Sequence, residues 1–146
     1  MTEDLIRKEA ITAYNAAFQA VEKGDQQLKA IELSAASLYL WRQVGNDQNV
    51  AIGYWLYSRA LAGAGSGDLA VDAAYESLKA LTRIESPHDW LVASLHEGLA
   101  RALVVAKDDR ADAEITKTAA LISKIADSED RALIEEQFSS IKGKSL

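Results

Sequence analysis

The turns of this chain recur at a nearly fixed interval, and that regularity constrains the fold more than any other feature. Lys23-Gly24-Asp25, Ser66-Gly67-Asp68 and Lys107-Asp108-Asp109 each stand where one apolar helical pattern stops and the next begins. Asp25 and Asp68 are 43 positions apart, and Asp68 and Asp109 are 41 apart. A second set, Asn46-Asp47, His88-Asp89 and Glu129-Asp130, follows the first at 22, 21 and 21 positions, counted between aspartates. A period in this range is the signature of stacked helix pairs, each burying its apolar face on the next. The chain therefore divides into three helix–turn–helix units over about 3–45, 46–86 and 87–127, followed by a helix over about 129–143 that caps the apolar end. The fold expected is all-α, a right-handed α-α superhelix of three helical hairpins plus the C-terminal capping helix, forming one domain over 1–146.

The stretch 46–62 is the expected centre. Asn46, Asp47, Gln48 and Asn49 suit a helix start, where Asn or Asp accepts a bond from a free backbone N–H. From Val50 to Ala62 every face is apolar, aromatic or small, and Arg59 is the only charge. A helix without a polar stripe must be covered on several sides. It is too short to cross a bilayer, which takes about 20 residues.

The other helices follow from 3.6-residue periodicity. The first is expected over about 3–23, with the acidic start Glu3 and Asp4, core positions Leu5, Ile6, Ala10, Ala13, Ala17 and Val21, and Gly24 ending it. Asp25 is expected to cap the second, to about 44, with Leu28, Ile31, Ala35, Leu38 and Trp41 on one face. Asp68 is expected to cap the fourth, over 69–84, and the single proline, Pro87, to open the fifth, which runs to about 106. The sixth, over 110–126, draws its core from Ala113, Ile115, Ala119, Ala120, Ile122 and Ile125; the seventh, over 130–141, from Leu133, Ile134, Phe138 and Ile141, with a fraying tail beyond. No segment reads as a strand.

Charge and composition narrow the functional classes. With Lys and Arg at 16 against Asp and Glu at 22, the net charge is −6, which argues against nucleic acid or an anionic membrane as partner. There is no cysteine, which removes thiol chemistry, disulfides and Cys-ligated metals. The charged N-terminus has no apolar signal-peptide core, so a cytoplasmic location is expected. His96-Glu97 is followed by Gly98-Leu99-Ala100, so the zinc-protease HExxH spacing is missing, and the two histidines, His88 and His96, do not make a metal site; neither metal nor cofactor is expected. The glycine-rich tract 62–67 has no preceding strand and no Lys-Ser or Lys-Thr after it, so it is a helix–helix corner rather than a phosphate loop. Acidic pairs such as Asp108-Asp109 and Glu129-Asp130 fall at helix starts, where they complement the helix dipole. No catalytic signature emerges.

The segments 13–38, 54–81 and 95–121 resemble the tetratricopeptide-repeat family. Each pairs a helix of large and small residues, with Ala100 in that of the third unit, with a Gly-Asp-type turn and a second helix with spaced alanines: Ala73 and Ala80 in the second unit, Ala113 and Ala120 in the third. The period exceeds the family's ~34 residues, Asp108 replaces the turn glycine of the third unit, and only one unit ends in proline. The chain is similar in this to degenerate, long-helix repeat proteins of bacteria. The resemblance implies a non-catalytic scaffold whose concave face, lined by the first helix of each pair, holds a peptide or partner helix. Short stacks of this kind also self-associate, so a homodimer is the alternative; a small-molecule pocket between helices is a third reading.

Six residues are singled out for partner binding. Arg59 could form a bidentate pair with a partner's carboxylate, or an internal ion pair with an acid on a neighbouring helix, such as Glu32, Asp72, Glu76 or Glu97. Trp55, like Trp41, Tyr54, Tyr57 and Trp90, serves either the core or a binding hot spot. The resemblance implies that Asn15, Asn49, Arg59 and Arg101 form a clamp on a carboxylate, where caps and solvated faces would explain the same residues. His96 completes the set, its other role being a structural side chain between helices.

Overall fold

The computed structural model describes residues 2–145, with side chains as far as Ile141. Seven helices account for the described residues, with no strand among them: α1 (Glu3–Lys23), α2 (Gln27–Val44), α3 (Asp47–Gly63), α4 (Gly67–Leu81), α5 (Asp89–Val105), α6 (Ala111–Ser123) and α7 (Ser128–Ser145). No helix is long and apolar enough to cross a membrane among the described residues.

Local chemistry sets the ends. The Thr2 side chain accepts from the Leu5 N–H at 3.2 Å and starts α1, and Gly24 ends it in the left-handed region at φ 75°. Asn46 and Asn49 exchange side-chain and backbone bonds of 2.8 and 3.1 Å, a capping box that opens α3. Other caps depart from expectation. Neither Asp25 nor Asp68 is an N-cap: α2 starts from Gln26 and α4 from Ser66, both without a side-chain bond, and Asp68 falls inside the first turn, where its charge meets the helix dipole. Pro87 stands before the His88 cap of α5 rather than inside the helix. Helix α6 is shorter than its periodicity suggested, leaving Ile125 buried in the following turn. Helix α7 runs past Ile141 to Ser145; Leu146, the end of the tail expected to fray, lies outside the described residues.

Each helix packs on its neighbours in sequence, and beyond these only α1–α3, α3–α5 and α5–α7 touch. The odd helices therefore follow one another along one side, with the even ones between them on the other. Small residues let the axes approach: Ala10, Ala17 and Ala20 of α1, Ala30 of α2, Ala60 of α3 and Ala70, Ala73 and Ala74 of α4 are all buried. Buried serines close the remaining polar gaps, Ser37 donating to Ala10 O and Ser58 to Ala70 O, both at 2.8 Å.

Helix α3 touches α1, α2, α4 and α5 and buries Trp55, Leu56 and Leu61, as its uninterrupted apolar sequence requires. It shares the centre with α5, which buries Leu91, Leu95, Leu99 and Leu103 together with the charged Glu97. The expected inner faces of the outer helices are only partly right. Leu5, Leu28 and Leu133 are exposed, at 45%, 78% and 57% of their surface, and so are Ala113, Ala119 and Ala120 of α6, whose buried positions are Thr118 and Ile122.

Candidate functional site

On the odd-helix side, α1 presents Tyr14 and Phe18 one turn apart, and α3 presents Ile52, Trp55 and Arg59 at the same spacing. Together with Trp90 and Leu91 of α5 and Ile134 of α7, the apolar members of this set wall a cavity of about 210 Å³. The Phe18 ring lies against both Tyr14 and Trp55, with centroids 6.4 Å apart in each pair. Gly98 of α5 makes room for the indole, since a Cβ there would stand 2.7 Å from Trp55 Cδ1. The indole Nε1–H is buried and has no acceptor.

One turn beyond Trp55, the Arg59 guanidinium carbon sits 5.4 Å from the indole ring centre, a cation–π arrangement. The Arg59 side chain is 10% exposed. Its Nε and Nη1 are buried without a hydrogen-bond partner, and Nη2 makes no hydrogen bond among the described residues but keeps access to solvent. The nearest carboxylate is that of half-exposed Glu22, at 3.9 Å, beyond hydrogen-bond reach. Burial pushes the guanidinium's pKa down, and the Glu97 carboxylate pulls it back. Burial also raises the Tyr14 phenol to about 12, against the opposing pull of Arg59.

Past this pair lies a second cavity of about 260 Å³, at the C-terminal ends of α1, α3 and α5. Its walls combine small or apolar residues, among them Ala20, Ala30, Gly63 and Val105, with polar Gln27 and the charged Arg59 and Arg101. Arg101 is engaged through Nε and Nη2. Its Nη2 donates to Glu97 Oε1 at 2.7 Å, and to Gln137 O and Ser140 Oγ at 2.9 Å, tying α5 to α7. Glu97 is fully buried; its Oε1 accepts twice from Arg101 and its Oε2 has no partner.

The residues singled out from sequence separate into two groups. Trp55, Arg59 and Arg101 come together on the odd-helix side. Asn15 is exposed and lines neither cavity, Asn49 spends its side chain on the α3 cap, and His96 Nδ1 lies 2.5 Å from Glu114, joining α5 to α6. The four-residue clamp implied by the resemblance therefore does not converge. The neighbouring-helix acid that pairs with Arg59 is Glu22 of α1, at a long 3.9 Å, rather than Glu32, Asp72 or Glu76, and Glu97 bonds Arg101. Sequence reasoning offered Glu97 as a partner of Arg59 rather than of Arg101, and gave Gly98 no role. The signal for the Arg101 pairing was present: Glu97 and Arg101 stand four apart in a helix otherwise nearly free of charge.

The gathered groups are rings, methyls and two arginines that stay protonated, a set suited to holding a ligand. Among the described residues no three His, Asp or Glu side chains meet in a way that could hold a metal ion. No protein-family model, curated protein or solved structure matches this chain.

Proposed function

We propose that this chain is a non-catalytic, cytoplasmic interaction module that binds a peptide or partner helix along the groove of its odd helices. In this reading the seven helices form a right-handed, tetratricopeptide-repeat-like superhelix of three hairpins, 3–45, 46–86 and 87–127, with α7 as the cap. The restriction of longer-range packing to α1–α3, α3–α5 and α5–α7 supports that arrangement. So does the burial of Ala73, Ala80 and Ala100 in the family's small-residue slots, although Ala113 and Ala120 are exposed.

The observation that carries the reading is the aromatic cavity shared by all four odd helices, with partly open Tyr14, Phe18 and Trp90 around buried Trp55. Rings held rigidly in a concave wall are the usual anchors of an interface. The test is selection from a displayed peptide library on the purified protein, repeated on Trp90→Ala. Enriched peptides should carry an apolar or aromatic residue and bind the variant about tenfold more weakly. No enrichment, or equal binding to the folded variant, would sink the proposal.

The alternative is a homodimer. Leu28 and Tyr39 of α2 are exposed at 78% and 67% and lie three helical turns apart on one face, a suitable seam for a second copy. Sedimentation of wild type beside Leu28→Lys decides it, since only a dimer would change mass.

A further inference from the structure

We propose that the cavity at the C-terminal ends of α1, α3 and α5 is a binding site for a small organic monocarboxylate. This goes beyond the groove reading and does not rest on it, because the cavity lies on the far side of the Trp55–Arg59 pair from the aromatic groove.

The first argument is the state of Arg59. Its side chain is nine-tenths buried, lines the cavity and makes no hydrogen bond among the described residues. A cation taken out of water without a bonded partner is costly to keep, and a ligand oxygen accepting from its open Nη2 removes part of that cost. Glu22 does not fill the role. It stands at the rim, half-exposed, and stops at 3.9 Å.

Charge selects the ligand. Of the two guanidinium groups, Arg101 is matched by the fully buried Glu97 carboxylate, whereas Arg59 has only the half-exposed Glu22 carboxylate at 3.9 Å, whose charge water screens, so most of one positive charge is left for a ligand. One negative charge balances it. A dianion such as phosphate would bring excess negative charge towards Glu97, in a setting where water screens little. Nη2, the open nitrogen of the guanidinium, can donate to a carboxylate oxygen in a charge-assisted bond.

Size and lining select the rest of the molecule. The cavity of about 260 Å³ equals roughly nine waters at ~30 Å³ each. The methyl groups of Ala20, Ala30 and Val105 face it, so the acid carries a short aliphatic chain or a single ring. Gly63 forms part of the wall, and a Cβ built there meets nothing within 4 Å. That space is open to a ligand and equally open to a plug.

The experiment is an NMR titration of the full chain with benzoate, butyrate and inorganic phosphate, at constant ionic strength set by chloride. Benzoate or butyrate should saturate, shifting the Ala60 and Gly63 amides and the Arg59 side-chain resonance, and phosphate should not. Gly63→Leu should abolish the saturable shift while circular dichroism stays that of the wild type. Arg59→Met should weaken binding by at least about tenfold, and Glu22→Gln should tighten it by removing the rim competitor. If Arg59→Met does not fold, Gly63→Leu and Glu22→Gln decide. Saturation by phosphate as strong as by benzoate, no saturation by either acid, or binding indifferent to Gly63→Leu overturns the proposal. None of these results touches peptide selection in the groove, which is judged on Trp90→Ala, so the two readings fail separately.

Discussion

Two arginines one helix apart have opposite fates in this molecule. Arg101 of α5 and Arg59 of α3 face the same cavity and are nearly equally buried, at 13% and 10% exposure of the side chain. Arg101 meets a fully buried carboxylate in its own helix and two oxygens of α7. Arg59 meets an aromatic face, small residues and a distant rim carboxylate. The difference lies in the neighbours four residues away. Glu97 precedes Arg101 by one turn, so the pair folds with its helix. The residue one turn before Arg59 is Trp55, which offers a ring and no oxygen. Equal burial therefore does not mean equal role: one arginine holds the fold together, and the other is left with bonding capacity the fold does not use.

Stability should separate them most sharply. Arg101→Met leaves the buried Glu97 carboxylate without its partner and cuts the bonds from α5 to Gln137 and Ser140 of α7, so unfolding free energy should fall by about 3–5 kcal/mol. Arg59→Met removes a cation that the fold scarcely pairs and should stay within about 1 kcal/mol of wild type. Urea unfolding of the two variants measures both. An Arg59→Met loss as large as that of Arg101→Met would break the comparison.

The phenol of Tyr14 reports the charge on Arg59. Its folded pKa is raised to about 12, from an ordinary 10.0, so the folded state holds the phenolic proton more tightly than the unfolded chain does. The corresponding stability is intact below pH 10 and is lost as pH rises from 10 through 12, by roughly 2–3 kcal/mol at 1.36 kcal/mol per pKa unit. Tyr14→Phe should lack that loss in unfolding measured against pH. Because Arg59 holds the phenol down, Arg59→Met should move the phenolate absorbance titration higher still. An unmoved titration would mean that the guanidinium's charge is already neutralised.

Gly98→Ala tests whether the two arginines are independent. The new methyl would press on the Trp55 ring, which stacks under Arg59, at a cost of about 1–3 kcal/mol for overpacking. Trp55 emission should change while the Arg101–Glu97 pair, whose members flank Gly98 on the same helix, holds. Loss of α7 docking in this variant, seen as faster amide exchange across α7, would show one coupled network instead of two sites.

Much of this architecture was legible, and what was not has physical reasons. Recurring turns gave the number of helices, and the unbroken apolar run of α3 gave its burial, because both depend on patterns within one segment. The faces of α1, α2 and α6 were misread where burial is decided by a neighbour: Leu28 has the right spacing for a core position but meets no second helix. The caps at Asp25 and Asp68 failed because Gln26 and Ser66 took the cap positions, with no side-chain bond to betray them. In the site, Arg59 stood out as a lone charge, but its partner could not be read. A carboxylate in α1, α2, α4 or α5 would have looked the same in sequence, and only the packing showed that Glu22 of α1 comes nearest, at 3.9 Å and short of a hydrogen bond. Glu97 was a candidate partner for Arg59, but its four-residue spacing to Arg101 in the same helix decides the pair.

The smallest expected effect probes the empty side of the comparison directly. Gly63 is the last residue of α3 and lines the cavity beside Arg59, with room for a methyl. Gly63→Ala restricts the unfolded chain and favours the helix, so it should stabilise by about 0.5 kcal/mol, a small rise in the thermal midpoint. The same change at Gly67, where a Cβ would stand 2.6 Å from the Ala106 backbone, should destabilise instead, because there the neighbouring helix already fills the space. A stabilising Gly63→Ala means that the wall next to Arg59 is open, and that the arginine faces a space the fold leaves vacant. A destabilising one would mean that the wall closes on itself, and the contrast between the two arginines would then shrink to a difference in hydrogen bonds.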